Sequence, residues 1–183
     1  MSWTGRLLVA TPALTDPNFA RTVVQLVQHS DDDGALGVVL NRPSETELAE
    51  VLPGWALLAP DPTLVFVGGP VQETAAICLA RLASGAGEDP SYVVVPGAPW
   101  LGTVDLDADA GEAVEEVRVF AGYAGWSPAQ LEAEVEEGAW WVLDALPSDC
   151  FTSAPEELWA TVLRRQGLPL SLAATYPPDP TLN

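Results

Sequence analysis

The sequence contains no lysine, one histidine, two cysteines and one methionine. Its seven basic residues are all arginine and stand against 26 Asp and Glu, which gives a formal net charge of −19 at pH 7. Nucleic-acid binding depends mainly on the neutralisation of phosphates by Lys and Arg, and binding to anionic membrane surfaces depends on the same residues. The charge balance therefore makes direct binding to nucleic acids or to membranes unfavourable.

The scarcity of cysteine and histidine also limits the chemistry of the chain. Cys78 and Cys150 are too few for a disulfide framework and lie in no spaced set of metal ligands, so we predict two buried free thiols, no metal and no cofactor. Imidazole-based chemistry would have to use His29, for which the sequence supplies neither a nucleophile-elbow serine nor an identifiable partner. We therefore predict no catalytic residue.

Long apolar runs are missing as well. The N-terminal apolar run ends at Pro12, which makes it too short for a signal peptide or a membrane span, so we expect a cytoplasmic protein. The length of 183 residues predicts one domain, residues 1–167, followed by a Pro-rich tail, residues 168–183, that forms an extended wrap or a loose end. An apolar content of 48% and seven Trp indicate a packed globule.

The clearest local signal is a hairpin centred on the Asp33-Gly34 turn. The β-branched residues 22–29 predict one strand, and the apolar residues 34–43 predict the returning strand, which ends at Asn41, Arg42 and a proline. If His29 pairs near Ala35, Asn41 lies near residue 23, and His29 and Asn41 are about 20 Å apart at roughly 3.3 Å per residue. The loop of residues 11–21 then arrives at the Asn41 end.

The remaining elements follow from periodicity and from capping signals. Further strands are predicted at residues 6–10, 65–67, 92–95, 101–106, 117–123 and 139–143. Residues 75–82 fit a strand or a helix. Helices are predicted at 44–52 with a Ser44–Glu47 capping box, within the acidic region 107–116, at 127–137 with Ser127 as N-cap, and after a Ser153–Glu156 cap. The first of these has an apolar face of Leu48, Val51 and Leu52, and the last has an apolar stripe of Leu158, Trp159, Val162 and Leu163. Four glutamates of the third helix are interpreted as a solvated face: Glu132, Glu134, Glu136 and Glu137.

Asn41 and Arg42 form the most informative polar pair, and two interpretations stay open. In the structural one, Arg42 pairs with Asp16 and Asn41 caps the turn; in the functional one, Arg42 reads a carboxylate or a phosphate. The Gly68-Gly69 turn could offer backbone N–H groups to an anion, but no Lys-Ser/Thr follows it, and a tight turn at which two backbones approach closely is the favoured interpretation. The candidate ligand-binding residues are Asp16, Asn18, Arg21, Asn41, Arg42, Gly68 and Gly69.

Several short phrases stand out along the sequence: residues 8–14 (LVATPAL), 16–19 (DPNF), 34–43 (GALGVVLNRP), 67–70 (VGGP), 122–126 (GYAGW) with Gln130-Leu131, and Trp140-Trp141. Taken together and in this order, they resemble the AlgH/YqgE family of bacterial proteins. The resemblance implies an α+β fold in which a mixed, largely antiparallel sheet curls into a pseudo-barrel with flanking helices, and it implies a strand at residues 75–82. The family has no established activity, and its members often carry a transcriptional-regulator label.

Three hypotheses for function follow. The first is a non-enzymatic cytoplasmic protein that binds a protein or small-molecule partner and has an indirect regulatory role. The second is a small-molecule sensor or an enzyme that uses the region of Asp16, Asn41 and Arg42. The third is a direct DNA-binding regulator, which the negative charge and the absence of a recognisable helix-turn-helix disfavour.

Overall fold

The computed structural model describes residues 1–179, which form a ten-stranded sheet and several short helices. The strands are β1 (Leu7–Ala10), β2 (Val23–Ser30), β3 (Gly34–Val39), β4 (Pro43–Glu47), β5 (Leu64–Val67), β6 (Val71–Leu82), β7 (Tyr92–Val95), β8 (Ala98–Val104), β9 (Val114–Trp126) and β10 (Trp140–Leu143). The helices are α1 (Leu48–Val51), α2 (Pro53–Ala56), α3 (Gln130–Glu136), α4 (Pro147–Cys150), α5 (Leu158–Arg164) and α6 (Leu170–Ala173), with a 3₁₀ turn at Pro155–Glu157.

The sheet is mixed and largely antiparallel, as the family resemblance implies. Its strand order is β10-β1-β2-β3-β9-β6-β8-β7, and β5 lies off this path, antiparallel to β4 and parallel to β9. The sheet curls, but β10 and β7 stand at opposite ends of the order and do not pair, so it does not close into a barrel. The α+β fold class is therefore confirmed.

The hairpin of β2 and β3 has the register that the sequence predicts. His29 pairs with Ala35, and the backbone N–H of Val23 donates to Asn41 Oδ1 at 3.0 Å. A β-bulge between Leu26 and Gln28 interrupts the ladder without changing its ends. His29 and Asn41 consequently lie at opposite ends of the hairpin.

Strand β9 joins the two halves of the sheet. Its last residues pair with β3, and its earlier residues pair with β6. Gly122 has φ +74° where the pairing changes, and an added Cβ there would collide with the backbone of Gly69. Gly68 and Gly69 approach the β9 backbone just as closely, so that only glycine fits at these crossings.

The core lies on both faces of the curled sheet. The stripe predicted for the last helix is buried as expected in α5, where Trp159 and Leu163 pack against the sheet. On the opposite face, Leu131 of α3 packs with Trp126 and Trp140. Both thiols are free and buried, as predicted.

The predicted helix at residues 44–52 is wrong over its first half. Residues 43–47 form β4, in which the Ser44 hydroxyl donates to the carbonyl of Val65 at 2.6 Å and so fixes the β4–β5 pairing instead of capping a helix. Only the single turn α1 follows, and Val51, expected on its apolar face, is 53% exposed.

Other boundaries also differ from the sequence predictions. The acidic region at 107–116 contains no helix, because it consists of turns and the start of β9. Residues 75–82 lie in β6, as the resemblance implies. Helix α3 begins at Gln130, whose side chain accepts from the Ser127 N–H at 3.0 Å, but the Ser127 hydroxyl makes no cap.

The C-terminal region is more ordered than the sequence predicts. Ser153 does not cap α5, which instead continues from the 3₁₀ turn, and α4 is an additional short helix. Residues 170–173 form α6, which packs against α5, in place of the expected extended or loose segment. The end of the predicted tail, from Pro180, lies outside the described residues. None of the helices in residues 1–179 has the length and apolar character that a membrane crossing requires.

Candidate functional site

Asn41 connects the end of the hairpin to the loop that precedes β2. Its Oδ1 accepts from the N–H of Val23 at 3.0 Å, and its Nδ2 donates to the carbonyl of Arg21 at 2.9 Å. Because one partner is an obligate donor and the other an obligate acceptor, the orientation of the amide is fixed. Asn41 therefore closes the loop through both of its polar atoms.

Arg42 holds the same loop from outside. Its guanidinium donates to the carbonyls of Asn18 at 2.7 Å, Pro17 at 2.8 Å and Ala20 at 3.2 Å. The expected ion pair with Asp16 is not among the salt bridges of the described residues, although the negative charge of Asp16 partly offsets the burial that lowers the pKa of Arg42. The Arg42 guanidinium thus stabilises the loop by binding three of its backbone carbonyls.

Asp16 shapes the start of this loop. Its Oδ1 accepts from the backbone N–H of Asn18 at 2.8 Å, which is an Asx turn. The prediction that Asp16, Asn18, Arg21, Asn41 and Arg42 lie in one region is correct. Their polar atoms, however, mostly bind one another's backbone.

Gly69 and Arg42 line a small cavity on one side of this loop. It measures about 50 Å³, and Asn18 and Glu73 also reach it. A space of this size holds a few waters at most and falls well below the roughly 300 Å³ at which ligand pockets begin. Gly68 does not line it, and its position is explained by the contact with β9.

Arg21 points to the other side of the loop, and its backbone is unusual. Its φ of +58° is in the left-handed region, which is uncommon for a residue with a long side chain. The Asn41 amide holds the Arg21 carbonyl in this conformation. Strained backbone that its surroundings fix in this way is concentrated at functional sites.

The guanidinium of Arg21 is stacked and only partly paired. Its Cζ lies 4.1 Å from the centroid of a Trp159 ring, and Nη1 donates to the carbonyl of Tyr176 at 2.9 Å. Nε and Nη2 have no hydrogen-bond partner among residues 1–179. Burial lowers the pKa of Arg21 below its ordinary value, and a guanidinium nevertheless stays a cation at neutral pH.

A pocket of about 370 Å³ opens beside this side chain, and we call it the Arg21 pocket. Arg21, Trp159 and Tyr176 line it together with loop residues Leu14 and Thr15 and with the prolines at 12, 177 and 178. None of these lining residues is acidic, in a chain with 26 carboxylates. The pocket is apolar with a single cation at its edge.

The sequence indicates only one of the three principal residues of this pocket. Arg21 is predicted, but Trp159 is assigned to the core stripe of α5, and Tyr176 falls in the tail. The two aromatic residues are more than 130 positions from Arg21, so no local pattern could connect them with it. The Pro-rich composition around Tyr176 is the only sequence signal that this segment lies against a surface.

His29 has a partner that the sequence did not reveal. The N–H of Trp3 donates to its Nδ1 at 2.9 Å, so Nε2 carries the hydrogen and donates to Glu132 Oε1 at 2.9 Å. The Trp3 ring stacks on the imidazole at a centroid distance of 4.9 Å. The His29 side chain is 1% exposed, so this arrangement anchors the N-terminal segment and α3 to the end of β2.

The solvated-face interpretation is wrong for two of the four glutamates: Glu132, which pairs with His29, and Glu134. Its Oε2 accepts from the indole N–H groups of Trp126 and Trp140, both at 2.9 Å, and its Oε1 accepts from Gln130 at 3.0 Å. Glu136 and Glu137 are exposed, as predicted. The inner glutamates of α3 thus attach the helix to the sheet.

The two thiols and Arg118 are reactive or charged groups that burial keeps from contact with a ligand. Burial raises the pKa of Cys78 to about 12 and raises that of Cys150 as well, so both thiols stay protonated. Arg118 is 1% exposed and donates to four backbone carbonyls, at residues 60, 61, 150 and 152. Among the described residues, no three His, Cys, Asp or Glu side chains are grouped as a metal site would require.

Comparison with known proteins gives consistent results. The sequence model of the AlgH-like family matches residues 7–171. A UPF0301 protein of Streptomyces avermitilis is 51% identical over 100% of this chain and 96% of its own length, and one of Thermobifida fusca is 48% identical with the same coverage.

Two solved structures share the fold. A Corynebacterium diphtheriae protein has a TM-score of 0.87 and 34% identity, over 94% of this chain and 91% of its own. The solution structure of the AlgH protein from Pseudomonas aeruginosa has a TM-score of 0.68 and 36% identity, over 94% of this chain and 93% of its own. Similarity therefore extends over nearly the whole chain in both sequence and structure.

Proposed function

The chain belongs to the AlgH-like family, and we propose that it acts by binding a small organic molecule in the Arg21 pocket. The observation that carries this proposal is the Arg21 guanidinium at the edge of an apolar pocket. It is stacked on Trp159, and within residues 1–179 only one of its three nitrogens has a hydrogen-bond partner. A pocket of about 370 Å³ is within the range of small-molecule sites.

The chemistry of the pocket favours recognition over catalysis. Arg21 cannot serve as a base because it remains protonated, and the hydroxyl of Thr11 already donates to the carbonyl of Gly138 at 2.6 Å. Among residues 1–179, those that line the pocket include no His, Cys, Asp or Glu. The described residues of the Arg21 pocket can therefore orient and hold a ligand, but they include no general acid or base that works near neutral pH.

The wider biological role is part of the same proposal. We place this binding protein in the cytoplasm, without enzymatic activity, and assign it an indirect regulatory output through a ligand-dependent contact with another protein. The net charge of −19 supports this over direct DNA binding. Retention of the protein on duplex DNA at low ionic strength, lost on adding salt, would contradict this part of the proposal.

The region of Asp16, Asn41, Arg42 and Gly69 contributes indirectly in this proposal. Its cavity of about 50 Å³ is too small for a metabolite, and its side chains bind the loop that carries Arg21. We propose that the side chains of Asn41 and Arg42 position Arg21, Arg42 through backbone carbonyls that include that of Asn18, and that Gly68 and Gly69 allow the crossing with β9. They would thus act on the ligand through the loop.

A fragment screen of the full-length protein tests the proposal. Binding in the pocket predicts ligand-dependent stabilisation of about 1 kcal/mol or more at saturation. Thr15→Trp, a substitution at an exposed loop residue of the pocket wall, should fill the space and abolish the shifts. Arg164→Ala, which removes an exposed arginine outside the pocket, is the matched control. Fragments that bind equally well to the Thr15→Trp variant would overturn the proposal.

A further inference from the structure

Resting on the proposed function, we infer that the Arg21 pocket recognises a monocarboxylate with an aromatic or branched apolar body. The carboxylate would pair with Arg21, and the apolar body would lie against Trp159 and the prolines of the pocket. This identifies the chemical class of the ligand and goes beyond the binding role itself.

Recognition of a carboxylate would use the edge of the Arg21 guanidinium that Nε and Nη2 form. Nη1 is already bound to the Tyr176 carbonyl, whereas Nε and Nη2 have no partner among residues 1–179. The hydrogens of Nε and Nη2 project side by side from one edge of the planar group, and this fork matches the two oxygens of a carboxylate. Stacking on Trp159 fixes the plane of the fork.

The charge of the pocket supports a single negative charge on the ligand. Of the described residues that line the pocket, Arg21 alone is charged, so these residues offer the ligand one cation. The chain as a whole carries a net charge of −19, which penalises each further negative charge brought to its surface. A phosphate dianion would need more than one guanidinium edge here, whereas a carboxylate needs one.

The walls of the pocket determine the rest of the ligand. Leu14, Trp159, Tyr176 and three prolines present apolar faces, and rings pack well against such faces. At about 370 Å³ the pocket is near the small end of ligand sites and has room for a single ring or a short branched chain. An acid as small as acetate would leave these walls uncovered and would lose their contribution.

Four matched probes test the inference by calorimetric titration of the full chain. Phenylacetate carries both features, phenylacetamide lacks the charge, acetate lacks the ring, and phenyl phosphate carries additional charge. We expect phenylacetate to bind about tenfold or more tightly than each of the others. Against phenylacetamide this difference corresponds to one charge-assisted bidentate pair, and against acetate it corresponds to the apolar contact that the ring makes with the walls. Arg21→Gln should reduce phenylacetate to the level of phenylacetamide, and Arg21→Lys should restore only part of the difference.

The outcomes separate this inference from the proposed function. Equal binding of phenylacetate and phenylacetamide, both blocked by Thr15→Trp, would refute carboxylate recognition and leave the proposed function supported. Preference for phenyl phosphate would refute the single-charge argument. If none of the four probes binds at millimolar concentration, the inference is wrong, while other fragments that Thr15→Trp blocks would still support the pocket. Arg164→Gln should leave all four affinities unchanged.

Discussion

Replacement of Asn41 by alanine tests whether this side chain fixes the loop that presents Arg21. The substitution removes the acceptor of the Val23 N–H and the donor to the Arg21 carbonyl, at 3.0 and 2.9 Å respectively. Val23 is fully buried, so its N–H has no access to water in place of the lost oxygen. The Arg21 residue is only partly buried, so its carbonyl can turn towards solvent.

The magnitude follows from this difference between the two partners. A buried N–H left without a partner costs about 1–3 kcal/mol, and the loss of a partly exposed hydrogen bond costs roughly 0.5–1.5 kcal/mol. Together they predict that Asn41→Ala lowers the free energy of unfolding by about 1.5–4.5 kcal/mol. Asn18→Ala is the matched control, because Asn18 is exposed and Arg42 contacts only its backbone carbonyl; it should stay within about 0.5 kcal/mol.

A double-mutant cycle isolates the backbone conformation of Arg21. A left-handed residue with a Cβ costs roughly 1 kcal/mol more than glycine, and at φ +58° this cost falls on Arg21. If the Asn41 amide holds Arg21 in this conformation, its loss lets Arg21 relax and recover this cost, so Asn41→Ala should cost about 1 kcal/mol more in an Arg21→Gly background, which has no such strain to release.

Urea denaturation followed by tryptophan fluorescence measures all four variants, with slopes compared to confirm that the same surface unfolds. A loss below about 0.5 kcal/mol for Asn41→Ala would refute the assignment of its two hydrogen bonds. Strict additivity in the cycle would refute the strain argument while leaving those bonds in place.

Three further changes test the internal polar contacts. Arg118→Lys should lower the free energy of unfolding by about 2–4 kcal/mol, measured by urea denaturation. An ammonium cannot donate to all four carbonyls, and it cannot stack on the Phe66 ring, whose centroid lies 4.4 Å from Arg118 Cζ. The Glu132 carboxylate accepts hydrogen bonds from its own backbone N–H and from His29, and both bonds lower its pKa below 4.5. The stability that these bonds contribute is therefore fully present above pH 4.5 and is lost as the pH falls through the folded-state pKa. Glu132→Gln should accordingly make the free energy of unfolding fall less steeply in acid. Glu134→Gln should cost about 1–3 kcal/mol and shift the tryptophan emission, because two indole N–H groups lose a charged acceptor.

Local turn chemistry explains why the hairpin could be predicted to the residue. An Asp-Gly turn between two β-branched runs leaves one register that buries both apolar faces, and pairing of His29 with Ala35 then places Asn41 beside Val23. The same reasoning brought the loop of Asp16 to that end of the hairpin. Where sequence neighbours determine the outcome, the prediction is correct.

The failed helix at residues 44–52 shows the limit of local signals. Ser44 and Glu47 have the spacing of a capping box, but the segment gains more from pairing with β5, where Ser44 bonds the carbonyl of Val65. The pairing partner is about 20 residues away, so the capping pattern carried no information about it. Tertiary pairing overrode the local preference.

The prediction that Glu132 and Glu134 of α3 face solvent is wrong for a related reason. Glu132 bonds His29, which lies 103 positions earlier, and Glu134 bonds Trp126 and Trp140 on two strands. A helix rich in acidic residues usually presents them to water, and nothing in the spacing separates the inward pair from Glu136. Only the fold shows which carboxylates meet buried donors.

The two interpretations of Asn41 and Arg42 turn out to be connected. Both side chains are structural, yet every hydrogen bond they make ends on the loop that presents Arg21 to its pocket or on Val23, the first residue of β2. Neither residue lines that pocket, so a ligand that pairs with Arg21 should not touch them. Arg42→Ala is therefore expected to weaken phenylacetate binding without contact, by letting the left-handed Arg21 relax, whereas Arg164→Ala should not. An unchanged affinity in a folded Arg42→Ala protein would mean that Trp159 and Tyr176 alone hold the guanidinium in place.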